Sequence, residues 1–171
     1  MKKFIAFALV LVLVLSLFAG CAAKKPSLEG TPAEIIEKIY AQKNVEFAPM
    51  TLTPDDPDYG AMWDWTYYTG LADGSKIAQA AVSEAMMGSI AFSLVVVRVN
   101  EGVDPHAVAQ EMKDGIDTRK WICVEAGDLQ VAGYGDVVML IMVDESFDSI
   151  SSQDFVDAFK TVCGADLDFT I

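Results

Sequence analysis

The sequence predicts a single α+β domain: a largely antiparallel, four-stranded sheet with elements in the order β-β-α-β-β-α, behind an additional N-terminal helix. Three observations lead there. Two valine-rich runs, 92–99 and 137–143, are apolar at nearly every position, the pattern of central strands covered on both faces. Three helices begin with recognisable start signals. Two short glycine-bearing segments fall where hairpin turns are needed to join neighbouring strands.

The first helix opens at Thr31-Pro32-Ala33-Glu34, a capping box with proline at the first helical position. Ile35, Ile36, Ile39 and Tyr40 follow on one face. Lys76 to Met86 suits a strand, because Met87-Gly88-Ser89 then turns it back antiparallel onto 92–99. Asp104-Pro105 starts the second helix, which runs to about Ile116; Val103 and Val108 form a hydrophobic staple, and Val108 and Met112 continue the buried stripe. Ile122 to Val131, returning through Gly133-Tyr134-Gly135-Asp136 onto 137–143, makes a second hairpin. Ser151-Ser152-Gln153-Asp154 begins the last helix, with Phe155, Phe159 and Val162 toward the core and Gly164 as its stop. Central strands need cover on both faces, which gives the N-terminal helix or the aromatic segment around Trp63 that task.

The first twenty-one residues carry an address. Met1-Lys2-Lys3, an apolar run from Phe4 to Phe18 and Ala19-Gly20-Cys21 make a secretory signal, and the run is shorter than the roughly 20 residues of a membrane span. The junction resembles the bacterial lipobox, with Phe18 where that motif prefers leucine and Leu17 one step earlier. The resemblance implies cleavage before Cys21 and lipidation of its thiol. The expected organisation is a signal peptide over 1–20, a tether over 21–30 and the α+β domain over 31–171, anchored to the cell membrane on its extracytoplasmic side.

Charge narrows the partners. The chain has 12 basic and 25 acidic residues; without Lys2 and Lys3 the formal charge is about −15, which argues against nucleic acid and against lying flat on anionic lipid. Cys123 and Cys163 sit in apolar surroundings and are expected as buried, unbridged thiols. One histidine with two separated cysteines lacks zinc spacing, and Asp55-Asp56-Pro57-Asp58 lacks the ligand alternation of a calcium loop, so neither metal nor cofactor is expected. His106 has no nucleophile at a recognisable spacing, and G-x-S-x-G, H-E-x-x-H and phosphate-binding glycine loops are missing.

Tyr67-Tyr68-Thr69-Gly70-Leu71, Ser83-Glu84-Ala85-Met86-Met87, the run Ala91 to Val99, Arg119-Lys120-Trp121-Ile122-Cys123-Val124-Glu125-Ala126, Gly135-Asp136 and Leu140-Ile141-Met142 form an ordered series. From about Thr31 onward it resembles a family of lipoproteins built on a domain of unknown function, found in anaerobic, clostridial-type bacteria. Ala85 departs from the pattern, where proline is expected. The resemblance implies secretion and a lipid anchor, and no activity.

Two segments are candidate binding residues. Arg119-Lys120-Trp121 is the one concentrated basic spot: Arg119 offers a planar fork for an anionic ligand and Trp121 a stacking wall. Equally, the two cations suit the end of the preceding helix, with Trp121 as a core residue at the mouth of a strand. In Trp63-Asp64-Trp65-Thr66-Tyr67-Tyr68, an extended backbone puts Trp63, Trp65 and Tyr67 on one face, either to stack a ligand or to fill the gap between sheet and helix. The functional expectation is a non-catalytic module binding an envelope protein, peptide or polymer. Its rivals are an accessory or substrate-capturing lipoprotein of a transporter, and an enzyme using Glu84, Glu125 or Asp136 as general acid or base.

Overall fold

The computed structural model describes residues 27–171. The expected signal peptide, Cys21 and the first part of the expected tether lie outside the described residues. In chain order the elements are α1 (Pro32–Gln42), β1 (Pro49–Leu52), a 3-10 turn (Gly60–Met62), α2 (Trp65–Thr69), β2 (Ile77–Ala85), β3 (Phe92–Val99), α3 (Pro105–Gly115), β4 (Asp128–Tyr134), β5 (Val137–Val143), α4 (Ser152–Cys163) and β6 (Phe169–Thr170). The strands form one antiparallel sheet in the order β1-β2-β3-β5-β4-β6.

The expected four strands are therefore the centre of a six-stranded sheet. β1 and β6 are edge strands of four and two residues, too short for an alternating pattern to show. The second hairpin also starts later than expected, since 122–127 is loop and pairing begins at Asp128. Cys123 turns the chain there with φ 65°, a left-handed conformation that interrupts an extended strand.

The helix start signals act as read. Thr31 and Glu34 complete the capping box of α1, Asp104 caps α3 through the amide of His106, and Ser151 and Asp154 form a second box on α4, which stops at left-handed Gly164. In the β4–β5 hairpin, Tyr134 faces Val137 across a two-residue turn whose Gly135 has φ 60°, the conformation that matches the strands' twist.

All seven residues of β5 are buried, because helices cover both faces of the sheet. Val137, Met139, Ile141 and Val143 meet Phe92, Leu94, Ile35, Ile36, Ile39, Phe155 and Phe159 beneath α1 and α4. Val138, Leu140 and Met142 meet Val95, Val97, Val108, Ala109 and Met112 beneath α3, where Trp63, Trp65 and Tyr68 pack at the margin. Both proposed covers are thus in use, one on each face. Each fully buried Val, Leu or Ile contributes about 1.5–3 kcal/mol relative to exposure.

The sheet has two distinct ends. At one, Arg98 near the close of β3 gathers the start of the described chain: Nη1 donates to Ser27 Oγ and to Asp136 Oδ2 (2.7 Å), and Nη2 to the carbonyls of Leu28 (2.6 Å) and Gly30 (2.9 Å). Ser27 Oγ donates to Asp136 Oδ1 at 2.9 Å. At the other end, β2 leaves at Ala85, β3 begins at Phe92 and the loop into β4 arrives; the candidate site lies there.

Candidate functional site

The far end of the sheet is organised around Lys120. Its side chain is 2% exposed and its Nζ stands 2.5 Å from Glu84 Oε1, while Ser93 Oγ donates to the same carboxylate oxygen at 2.8 Å. Glu84 and Ser93 are cross-strand partners on β2 and β3, so the sheet register fixes both. Nζ also donates to the Tyr67 carbonyl at 3.0 Å and lies 4.6, 5.7 and 5.3 Å from the ring centroids of Tyr67, Tyr68 and Trp121, within cation–π range. Burial holds the Lys120 ammonium below the ordinary lysine value, against the attraction of Glu84. Burial, then the charge of Glu84, holds the Tyr67 and Tyr68 phenols above the ordinary tyrosine value.

Local sequence explains why Tyr67 is available. The Asp64 carboxylate accepts from the Tyr67 amide at 3.0 Å and so caps α2, which ends at left-handed Gly70. The segment expected as extended is therefore a short helix, and Trp63, Trp65 and Tyr67 do not share a strand face. Trp63 and Trp65 are half-buried, edge-on to one another at 5.5 Å, and the Trp63 Nε1 is buried without a hydrogen-bond partner. They are packing residues; of the three only Tyr67 is exposed, at 40%. Backbone contact sets the helix in place. A Cβ at Gly115 would lie 2.1 Å from the Gly70 carbonyl oxygen, well inside contact distance, so α2 meets the end of α3 with no side chain between.

The structure brings Arg119, Lys120 and Trp121 to this end and gives them different fates. Lys120 is buried and committed to Glu84. Trp121 is half-buried and packs on the margin of the core beneath α3, as its structural reading expects, but from the loop and not from the mouth of a strand; with Arg119, Cys123, Val124 and Glu125 it also lines a shallow groove of about 400 Å³. Arg119 is exposed. Cys123 is exposed too, contrary to expectation, and Cys163 is half-buried on α4 beneath the opposite face of the sheet. The two are not bridged, consistent with their places in different layers.

Sequence reasoning missed the apolar rim. Met86 and Met87 on the β2–β3 turn are exposed, as is Ile122 at 75%, and the Ile122 amide donates to the Gly88 carbonyl at 3.0 Å, joining the two loops. With Tyr67 they are four of the six large apolar side chains left in water among the described residues, the others being Tyr59 and Met62. The available signal was a Met-Met pair inside a turn, where polar residues are the norm.

The carboxylates considered for catalysis are spread apart. Glu84 serves Lys120, Asp136 serves Arg98 and Ser27 at the other end, and Glu125 is exposed on the groove wall. In the acidic loop, Asp56 accepts from the amides of Asp58 and Tyr59. His106 is exposed, edge-on to Phe169 at 4.8 Å. No family model, curated protein or solved structure matches the chain.

Proposed function

We infer that this chain is a non-catalytic binding module, held outside the cell membrane by a lipid on Cys21, and that its binding face is the sheet end bearing Tyr67, Met86, Met87 and Ile122. One observation carries the reading: large apolar side chains left in water gather at that end, on loops braced by the buried Lys120–Glu84 pair. Exposed apolar groups set on a rigid base are the composition of interaction surfaces. The anchor rests on the leader alone, whose short apolar run and small-small-Cys junction are those of a lipoprotein signal.

Each half has its own test. Exchanging Cys21→Ser should shift the protein from the membrane fraction to soluble material or uncleaved precursor; unchanged fractionation with an unmodified N-terminus rules the anchor out. For the binding face, a photo-crosslinking residue placed at Ile122 in cells should yield a discrete adduct, while the same residue at Glu37 on α1 should not. Equal labelling at both positions removes the case for a specific face.

A further inference from the structure

The rim of the far-end patch is negative. Glu125 lines the groove beside Trp121, Asp117 precedes Arg119, and Glu145 packs where a Cβ on Gly127 would lie 2.6 Å from its carboxyl carbon; all three are exposed. Within the 119–121 triplet only Arg119 offers them an exposed cation, because the charge of Lys120 is buried and paired with Glu84. We propose that this end docks a cationic amphipathic segment of a partner protein, its apolar side chains on Met86, Met87 and Ile122 and its lysines or arginines facing Glu125 and Glu145. The proposal rests on the binding-module reading and names the partner's class. Methionines suit the task, since their flexible, polarisable side chains repack around varied apolar stripes.

Charge and geometry set the other occupants aside. A second copy would bring an equal negative charge of about −15 against the same acidic rim. The bilayer that holds the anchor suits the patch poorly: Ser27 is clamped at Arg98, at the opposite end of β3 from the patch, and an anionic lipid surface would meet an acidic rim. An acidic peptide read by Arg119 would meet three carboxylates around one guanidinium.

The test uses the full chain, purified in detergent micelles, and a phage-displayed library of random short peptides. Enriched peptides should combine lysine or arginine with two or more large apolar residues. The affinity of a synthesised winner, read by fluorescence anisotropy, should fall about tenfold with Ile122→Ser and about tenfold with Glu125→Gln plus Glu145→Gln. It should weaken between about 0.01 M and 0.15 M salt and ignore Glu37→Gln, with all variants melting as the parent does. Enrichment of acidic peptides that depend on Arg119, or of uncharged ones indifferent to Glu125 and Glu145, overturns the partner class and leaves the binding face standing. Self-association, or binding to phosphatidylglycerol vesicles, that is abolished by Ile122→Ser overturns it too. No enrichment, or binding unaffected by Ile122→Ser, sinks the proposal and the binding-face reading together.

Discussion

Lys120 and Glu84 can be separated only at the cost of a charge left inside the protein. Their side chains are 2% and 16% exposed, so water cannot take over from the missing partner. Removing one member of a buried pair costs about 3–5 kcal/mol; Glu84→Gln should therefore lower stability by about that amount in denaturant unfolding. Ile122→Ser, on the surface, should stay within about 0.5 kcal/mol of the parent. A Glu84→Gln protein as stable as the parent would mean that Lys120 readily swings into water. The basic triplet 119–121 was legible as a feature of the sequence, yet the assignment of roles within it was not. Glu84 stands far from Lys120 in the chain and resembles any other surface carboxylate until the β2–β3 register sets it beside Ser93. The exposure of Cys123 was hidden for a similar reason, because a left-handed residue in an apolar string leaves no pattern.

Elements whose causes are local were readable. α1, α3 and α4 begin at caps that use residues at most three positions apart, and the two hairpins turn at glycines. Much of what escaped depends on distant partners: β1 exists only by pairing with β2 and β6 only by pairing with β4, while five-residue α2 has a local Asp64 cap but is held in place by the Gly70–Gly115 contact. The clamp that Arg98 and Asp136 close on residues 27–30 is likewise a long-range device, and it should respond to acid. Burial raises the Asp136 carboxyl, but hydrogen bonds from Arg98 and Ser27 and the Arg98 charge outweigh it and hold the group below the ordinary aspartate value. A carboxylate lowered on folding stabilises above its unfolded value, about 3.9, and that contribution is lost as pH falls through the folded one. Parent and Asp136→Asn proteins should therefore differ in melting temperature at pH 5–7, and the gap should begin to close only as pH falls below about 4. A gap that persists at low pH would mean that the charge of Asp136 is not what holds the clamp.

At the scale of the molecule, the acidic excess opposes compactness. With 25 acidic residues in the chain and few cations to offset them, self-repulsion should lower the melting temperature at low ionic strength. Raising salt from about 0.01 M to 0.15 M shortens the Debye length from about 30 Å to 8 Å, so the melting temperature should rise by a few degrees. A fall would mean that ion pairs such as Lys76–Glu111 and Arg98–Asp136 outweigh the net charge. The buried centre of the sheet could be read from the valine runs, since only strands covered on both faces tolerate apolar residues at every position; the arrangement of its ends could not, because it follows from how strands pair. That arrangement has a mechanical consequence. Residues 27–30 are held at one end of the strands and the patch occupies the other, so a pull between them is directed along β2, β3 and β5. Ladder hydrogen bonds lie across that direction and are loaded in shear, all together, instead of opening one after another like a zip. The sheet itself yields to such tension only when many bonds fail at once, so the Arg98 clamp and α1, where the chain enters, are the parts that give first.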